Sequence, residues 1–214
     1  MTMNTPRRAL ILVDVQQEYF SGPLEIKYPA HQDSLPKITA AIDAATSAGI
    51  PIAVIQHSAG DEAPVFNPTM AGFALHPEIA NRQSPGWKSV TKQFGTVFAG
   101  TDVLDWLREH EVDTITLVGY MTNNCIIASA AESETHGLTA EVLSDATGSI
   151  NIANDAGFSD AKTVHTTLMA LLNSNFAAVA TAQAWTDAIA DGSVLPKDNL
   201  GSSAVLGAQR AAAL

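Results

Sequence analysis

The chain has 214 residues and a formal net charge of −11, from 22 acidic against 11 basic side chains. That balance excludes nucleic acid as an expected partner, because such binding draws on Lys and Arg at phosphates. With 46% hydrophobic and 15% charged residues, the composition is globular, and the length suits a single α/β domain over residues 1–214.

Hydrophobic periodicity divides the chain into alternating strands and helices. Residues 9–14 (Ala-Leu-Ile-Leu-Val-Asp) read as a strand buried on both faces. A helix is predicted over 34–48, capped by Ser34, with Leu35, Ile38 and Ile42 on one face and Gly49 at its end. Residues 51–56 form a second buried strand. Residues 58–87 hold Gly, Pro, Asn and Ser without a sustained period, which marks a functional loop or covering segment. A short strand over 88–92 ends at Lys92. A helix follows from Thr101 to His110, a strand over 114–118, and a helix from Asn124 to His136 closed by Gly137. Residues 138–143 are a strand leading to Asp145. Residues 159–174 read as a helix, 176–180 as a strand and 182–190 as a helix. The Ala- and Gly-rich end, an arm of about 191–214, reads either as a packed arm or as a loose tail.

Six strands separated by helices predict a doubly wound, mostly parallel sheet with helices on both faces, a three-layer α/β/α architecture. No apolar run reaches the ~18 residues of a membrane helix. The opening Met1–Arg8 segment lacks an apolar signal region. A cytoplasmic protein without a membrane partner is therefore expected. No G-x-G-x-x-G or G-x-x-x-x-G-K-[ST] follows a strand, which argues against a nucleotide-binding module.

Ligands of such sheets bind at the carboxyl ends of the strands. Asp14 closes the first strand, where it serves equally well as a turn or helix-capping residue. Lys92 closes the third strand, although most lysines are solvated surface charges. Cys125 is the only cysteine, which excludes an intrachain disulfide and a multi-cysteine metal site. A lone cysteine is commonly a small buried hydrophobe. Here it follows a strand, with Thr122, Asn123 and Asn124 as N-cap candidates. In the first turn of a helix, the dipole and free N–H groups lower a thiol's pKa and can hold an oxyanion. Together the three supply a nucleophile, a proton-transferring carboxylate and an ammonium to stabilise the thiolate.

These residues lie in segments that resemble isochorismatase-like cysteine hydrolases. Val13-Asp14-Val-Gln16-Gln-Glu-Tyr19-Phe20 resembles the family's opening VDxQxxF segment. Lys92-Gln-Phe-Gly-Thr96-Val-Phe98-Ala-Gly100-Thr101 resembles a second segment, with Thr96 in the usual Ser position. Gly119-Tyr-Met121-Thr122-Asn-Asn-Cys125 is similar to the nucleophile segment, and Asp145-Ala146 to a later one. The match runs in order from about residue 8 to 185. It implies an Asp14–Lys92–Cys125 triad that hydrolyses a small amide through a thioester, with Asp14 as base. It also implies a cis peptide between Tyr120 and Met121, and an oxyanion hole from the Met121 and Cys125 N–H groups. A homodimer or homotetramer acting on a small molecule is expected.

Nicotinamidases in this family carry a metal, held by an Asp and several His after the second strand. The corresponding stretch, Ile55-Gln56-His57-Ser58-Ala59-Gly60-Asp61, does not reproduce that pattern. No metal or other cofactor is expected, although His57, Asp61 and His76 remain conceivable ligands. His57 reads as a polar pocket-wall or structural residue. Tyr19, Phe20, Trp87, Phe98 and Tyr120 are candidate pocket walls, each equally at home in a core. Isochorismatases proper cleave a vinyl ether without a nucleophilic cysteine. That chemistry and a catalytically silent binding homologue are the alternatives to amide hydrolysis.

Overall fold

A computed structural model describes residues 5–213. Met1–Asn4, part of the start read above as lacking a signal segment, and Leu214 lie outside them. The central sheet contains β1 (Arg8–Val13), β2 (Ile52–His57), β3 (Lys88–Lys92), β4 (Thr114–Tyr120), β5 (Thr139–Gly148) and β8 (Ala177–Ala180). All its pairings are parallel, in the order β3-β2-β1-β4-β5-β8. This is the expected three-layer α/β/α sandwich.

Strand β1 explains why its sequence is an unbroken apolar run. Leu10 and Leu12 face α1 (His31–Ser47) and α6 (Ala182–Asp191) in one core cluster. Ala9, Ile11 and Val13 face α3 (Val103–Glu109) and α4 (Ile127–Ser133) in the other. A central strand covered on both sides has no polar face to alternate with.

Several boundaries differ from the sequence reading. Helix α1 begins at His31, three residues before the expected cap, and Ser34 is buried instead with its Oγ 2.8 Å from the Tyr120 hydroxyl. The segment over 58–87 is irregular apart from a 3-10 turn at Ala71–Phe73 and the single-turn α2 (Pro77–Ala80). It docks on the end of β1 through Gln17 N to Ala74 O and His76 N to Val15 O, both 2.8 Å. Strand β5 runs on to Gly148, past a bulge opposite Leu117–Gly119. A small hairpin, β6 (Ile152–Asn154) and β7 (Gly157–Ser159), was not expected at all. Helix α5 (Ala161–Leu171) starts after Asp160, whose carboxylate accepts from Thr163 N at 3.0 Å. The chain end forms α7 (Leu200–Ala211), a capped surface helix with no buried residue. Among the described residues no helix is long and apolar enough to cross a membrane.

Candidate active site

Four contiguous strand ends build the site. Strand β1 stops at Asp14, which adopts φ 50°, a left-handed conformation that Asp tolerates better than most residues. Its neighbour β4 comes close beneath it. Gly119 has φ +103°, and a Cβ there would lie 2.1 Å from Val13 O, so only glycine fits. On the other side, the last residues of β2 and β3 pair His57 with Lys92.

The Lys92 ammonium is the hub. Its Nζ lies 2.8 Å from Asp14 Oδ2, 3.2 Å from Cys125 Sγ, 3.2 Å from His57 Nδ1 and 3.1 Å from Phe94 O. Asp14, Lys92 and Cys125 are 0%, 1% and 2% exposed, so the site is closed to bulk water. Sequence reasoning placed the three groups at one sheet edge, and the structure brings them into contact. The Phe94 carbonyl was missed, since a backbone acceptor leaves no signature in residue type.

Electrostatics correct one expectation. The Cys125 thiol is not acidified; burial, and then the Asp14 charge, push its pKa up to about 12 against the opposing pull of Lys92. Burial likewise raises the Asp14 carboxyl, with Lys92 opposing. One ammonium faces two potential anions in a dry site, so only one of them is charged at a time. At rest the Cys125 thiol keeps its proton. The Asp14 carboxyl meets Lys92 Nζ at 2.8 Å, with both side chains fully buried. A carboxylate taken out of water holds a proton more tightly than a solvated one.

The nucleophile turn also departs from the expected capped α-helix. Thr122–Ile126 forms a π turn with no side-chain cap. Met121 O accepts from Asn124 N and Ile126 N, at 3.1 and 3.3 Å, and passes over the Cys125 amide. The Tyr120–Met121 peptide is cis. Thr122 is held instead by His165 of α5, whose Nδ1 is 3.0 Å from Thr122 Oγ1 and whose Nε2 is 3.0 Å from Ser144 O. A carbonyl can only accept, so Nε2 carries a proton and donates it to Ser144 O. Burial lowers the His165 pKa to about 4. Ser129 Oγ ties the turn to the Lys92 segment, donating to Cys125 O (2.6 Å) and accepting from Val97 N (3.1 Å).

The remaining predicted site residues separate. Tyr19 is buried, its ring 5.2 Å from Phe66 and 5.6 Å from Tyr120. Its phenol pKa is raised by burial and then by the charges of Asp14 and Cys125. Phe20 packs on His76 at 4.3 Å. Tyr120 is fully buried: its hydroxyl meets Ser34, and its ring packs in the core on the α1 face. Trp87 is partly buried against that same core. Phe98 packs on His136 at 4.8 Å within the α3–α4 core. The aromatics of the matching segments therefore serve the core more than the site. Asp145 accepts from Ala182 N at 2.7 Å and anchors the start of α6.

Among the described residues no group of three His, Cys, Asp or Glu side chains converges. His76 Nδ1 accepts from Glu78 N to cap α2, and His57 Nδ1 faces the ammonium.

The chain is a three-layer α/β/α protein with a buried Asp, Lys and Cys gathered at the carboxyl edge of its sheet. More narrowly, the chain belongs to the isochorismatase family, whose domain matches residues 8–184. A crystal structure from Burkholderia xenovorans LB400, assigned as an isochorismatase, is 40% identical and superposes with a TM-score of 0.94, covering 98% of this chain and 100% of that one. The uncharacterized isochorismatase family protein YddQ of Bacillus subtilis is 26% identical over 83% of this chain and 97% of its own length. A cysteine hydrolase from Pseudomonas syringae shares the fold, with a TM-score of 0.80 at 22% identity over 90% of this chain and 96% of that one.

Proposed function

We propose that this hydrolase cleaves a non-peptide C–N bond of a small amide, with Cys125 as nucleophile, Asp14 as base and Lys92 as fixed counter-charge. The observation that carries this reading is the Lys92 ammonium held between Asp14 Oδ2 and Cys125 Sγ, at 2.8 and 3.2 Å. Sγ attacks the carbonyl carbon while the thiol proton passes to Asp14. The negative charge leaves the carboxylate, and Lys92 neutralises it in either place. The carbonyl oxygen becomes an oxyanion, facing the N–H groups of Met121 and Cys125. Collapse expels ammonia or an amine, which takes the proton from Asp14 and leaves a thioester. Asp14 then deprotonates water, which attacks the thioester and frees the acid and the thiol. Each proton stays inside a closed site, where a raised carboxyl pKa suits a group that both takes and returns it.

The catalytic unit is the segment from about residue 8 to 185, and the reaction on this reading needs no cofactor. Ammonia release from a panel of small primary amides and ureides tests the proposal. Cys125→Ala is expected to lower turnover by about 10³-fold or more, since it removes the bond-forming atom. Retained amidase activity in that variant overturns the mechanism. One observation favours a second reading: burial raises the Asp14 pKa, and a protonated Asp14 suits acid cleavage of a vinyl ether. Isochorismate assayed with Cys125→Ala separates the two, because ether cleavage survives that substitution.

A further inference from the structure

We propose that this site turns over uncharged amides only, and that a carboxylate on the acyl group excludes a substrate. The inference rests on the amidohydrolase reading above and narrows its substrate class. The chain has 11 Lys and Arg, and all of them lie among the described residues. Two are buried. Arg8 sits at the amino edge of the sheet, where its Nη2 meets Glu141 Oε1 at 2.8 Å. Lys92 sits at the carboxyl edge, 2.8 Å from Asp14 Oδ2. The other nine are partly or fully exposed. Of these Lys88 is the nearest to Lys92 in the chain. It lies at the far end of β3, about 13 Å away at about 3.3 Å per residue, and pairs with Asp102. On the mechanism above, Lys92 balances the Asp14 carboxylate, and no cation is left for a ligand.

The side chains around the triad are neutral or acidic. His57 Nδ1 lies 3.2 Å from Lys92 Nζ, and burial, then Lys92, lower its pKa to about 4. The ring is therefore uncharged near neutral pH. Tyr19 keeps its phenol proton, because burial and then the charges of Asp14, Cys125 and Glu18 all raise its pKa. Glu18 itself is partly buried, with Oε2 3.3 Å from Phe66 N.

A carboxylate that enters this site leaves water and meets no free counter-charge. It can take Lys92 only when Asp14 holds a proton, and then no base is free to accept the proton of the thiol. A neutral amide meets neither obstacle. The same charge balance weighs against isochorismate, itself an anion. Hydrolysis turns a neutral amide into an acid, whose carboxylate the site has no cation to retain.

The test uses the natural protein and two alkylating reagents of nearly equal shape, neutral iodoacetamide and anionic iodoacetate. Their rates at Cys125 near neutral pH are followed by intact mass, in the folded protein and in the urea-unfolded chain. Both reagents attack the same thiolate, so the thiol's own pKa cancels from the ratio, and the unfolded chain supplies their intrinsic difference. Folding is expected to raise the preference for iodoacetamide about tenfold or more, because burying an unpaired charge exceeds the energy of a tenfold ratio. A second measurement compares ammonia release from succinamide and succinamate, with kcat/KM expected to favour the neutral amide about tenfold or more. An unchanged or lowered preference for iodoacetamide on folding overturns the proposal, as does faster hydrolysis of succinamate. Failure of iodoacetamide, itself a small neutral amide, to reach folded Cys125 also counts against it. Failure of the amidohydrolase reading is distinguishable, since it shows as ammonia release that survives Cys125→Ala, or as none from any amide, whereas the reagent preference is read without turnover.

Discussion

Acidification is expected to weaken the support of the Cys125 turn, and His165 sets the size of the effect. This residue is 3% exposed and joins α5 to the turn through Thr122 and to β5 through Ser144 O. Its pKa falls from 6.5 to about 4 on burial. Between those two values the unfolded chain binds a proton that the folded protein refuses. Stability is thus flat above about 6.5 and falls as pH drops through the window. At about pH 5, some 1.5 units below the unfolded value, the loss is about 2 kcal/mol at about 1.36 kcal/mol per unit. Half-buried His57 acts in the same direction, but solvent screens it. Urea unfolding at about pH 7.5 and about pH 5 measures the loss, and comparison with His165→Gln isolates one histidine because His57 is present in both. The glutamine retains an amide donor for Ser144 O and cannot titrate. The natural protein is expected to lose about 2 kcal/mol more than the variant on acidification. Equal losses would refute the assignment of the neutral, buried ring.

Two other substitutions probe the frame. Gly119→Ala forces a Cβ to 2.1 Å from Val13 O at a positive φ, and is expected to lower the thermal midpoint by about 10 °C or more; an unchanged midpoint would show that β4 need not pass so close to β1. Glu141, 1% exposed, binds the Arg8 guanidinium, Thr116 Oγ1 and the Trp185 indole N–H at the amino edge of the sheet. Glu141→Gln strands a buried cation and is expected to cost about 3–5 kcal/mol, or about 10 °C, with alkylation of the remaining folded Cys125 unaltered. Loss of thiol reactivity in the folded variant would contradict the separation of the two sheet edges.

The central strands were legible because burial on both faces leaves a plain apolar signature, as in β1. Asp14, Lys92 and Cys125 were legible because each ends or follows such a strand. What escaped is tertiary in origin. Ser34 reads locally as a helix cap, yet the Tyr120 hydroxyl claims it inside α1. Thr122 is a plausible cap, yet His165, 43 residues later, holds it. The small hairpin β6–β7 is only three residues per strand, too short to show a period. The thiol's pKa was misjudged because helix position is visible in a sequence, whereas burial against Asp14 is not. His57 was noted as polar, but its contact with Lys92 follows from the β2–β3 register.

The closed site has a consequence for durability. Peroxide and disulfide reagents attack thiolates, and their damage climbs from sulfenic to irreversible sulfinic and sulfonic acids. Cys125 is 2% exposed and holds its proton to about 12, so the resting protein shows oxidants neither the surface nor the charge state they need. On the mechanism proposed above, the thiolate forms only as Asp14 accepts the proton. The same burial that makes the thiol a poor acid shields it from oxidants.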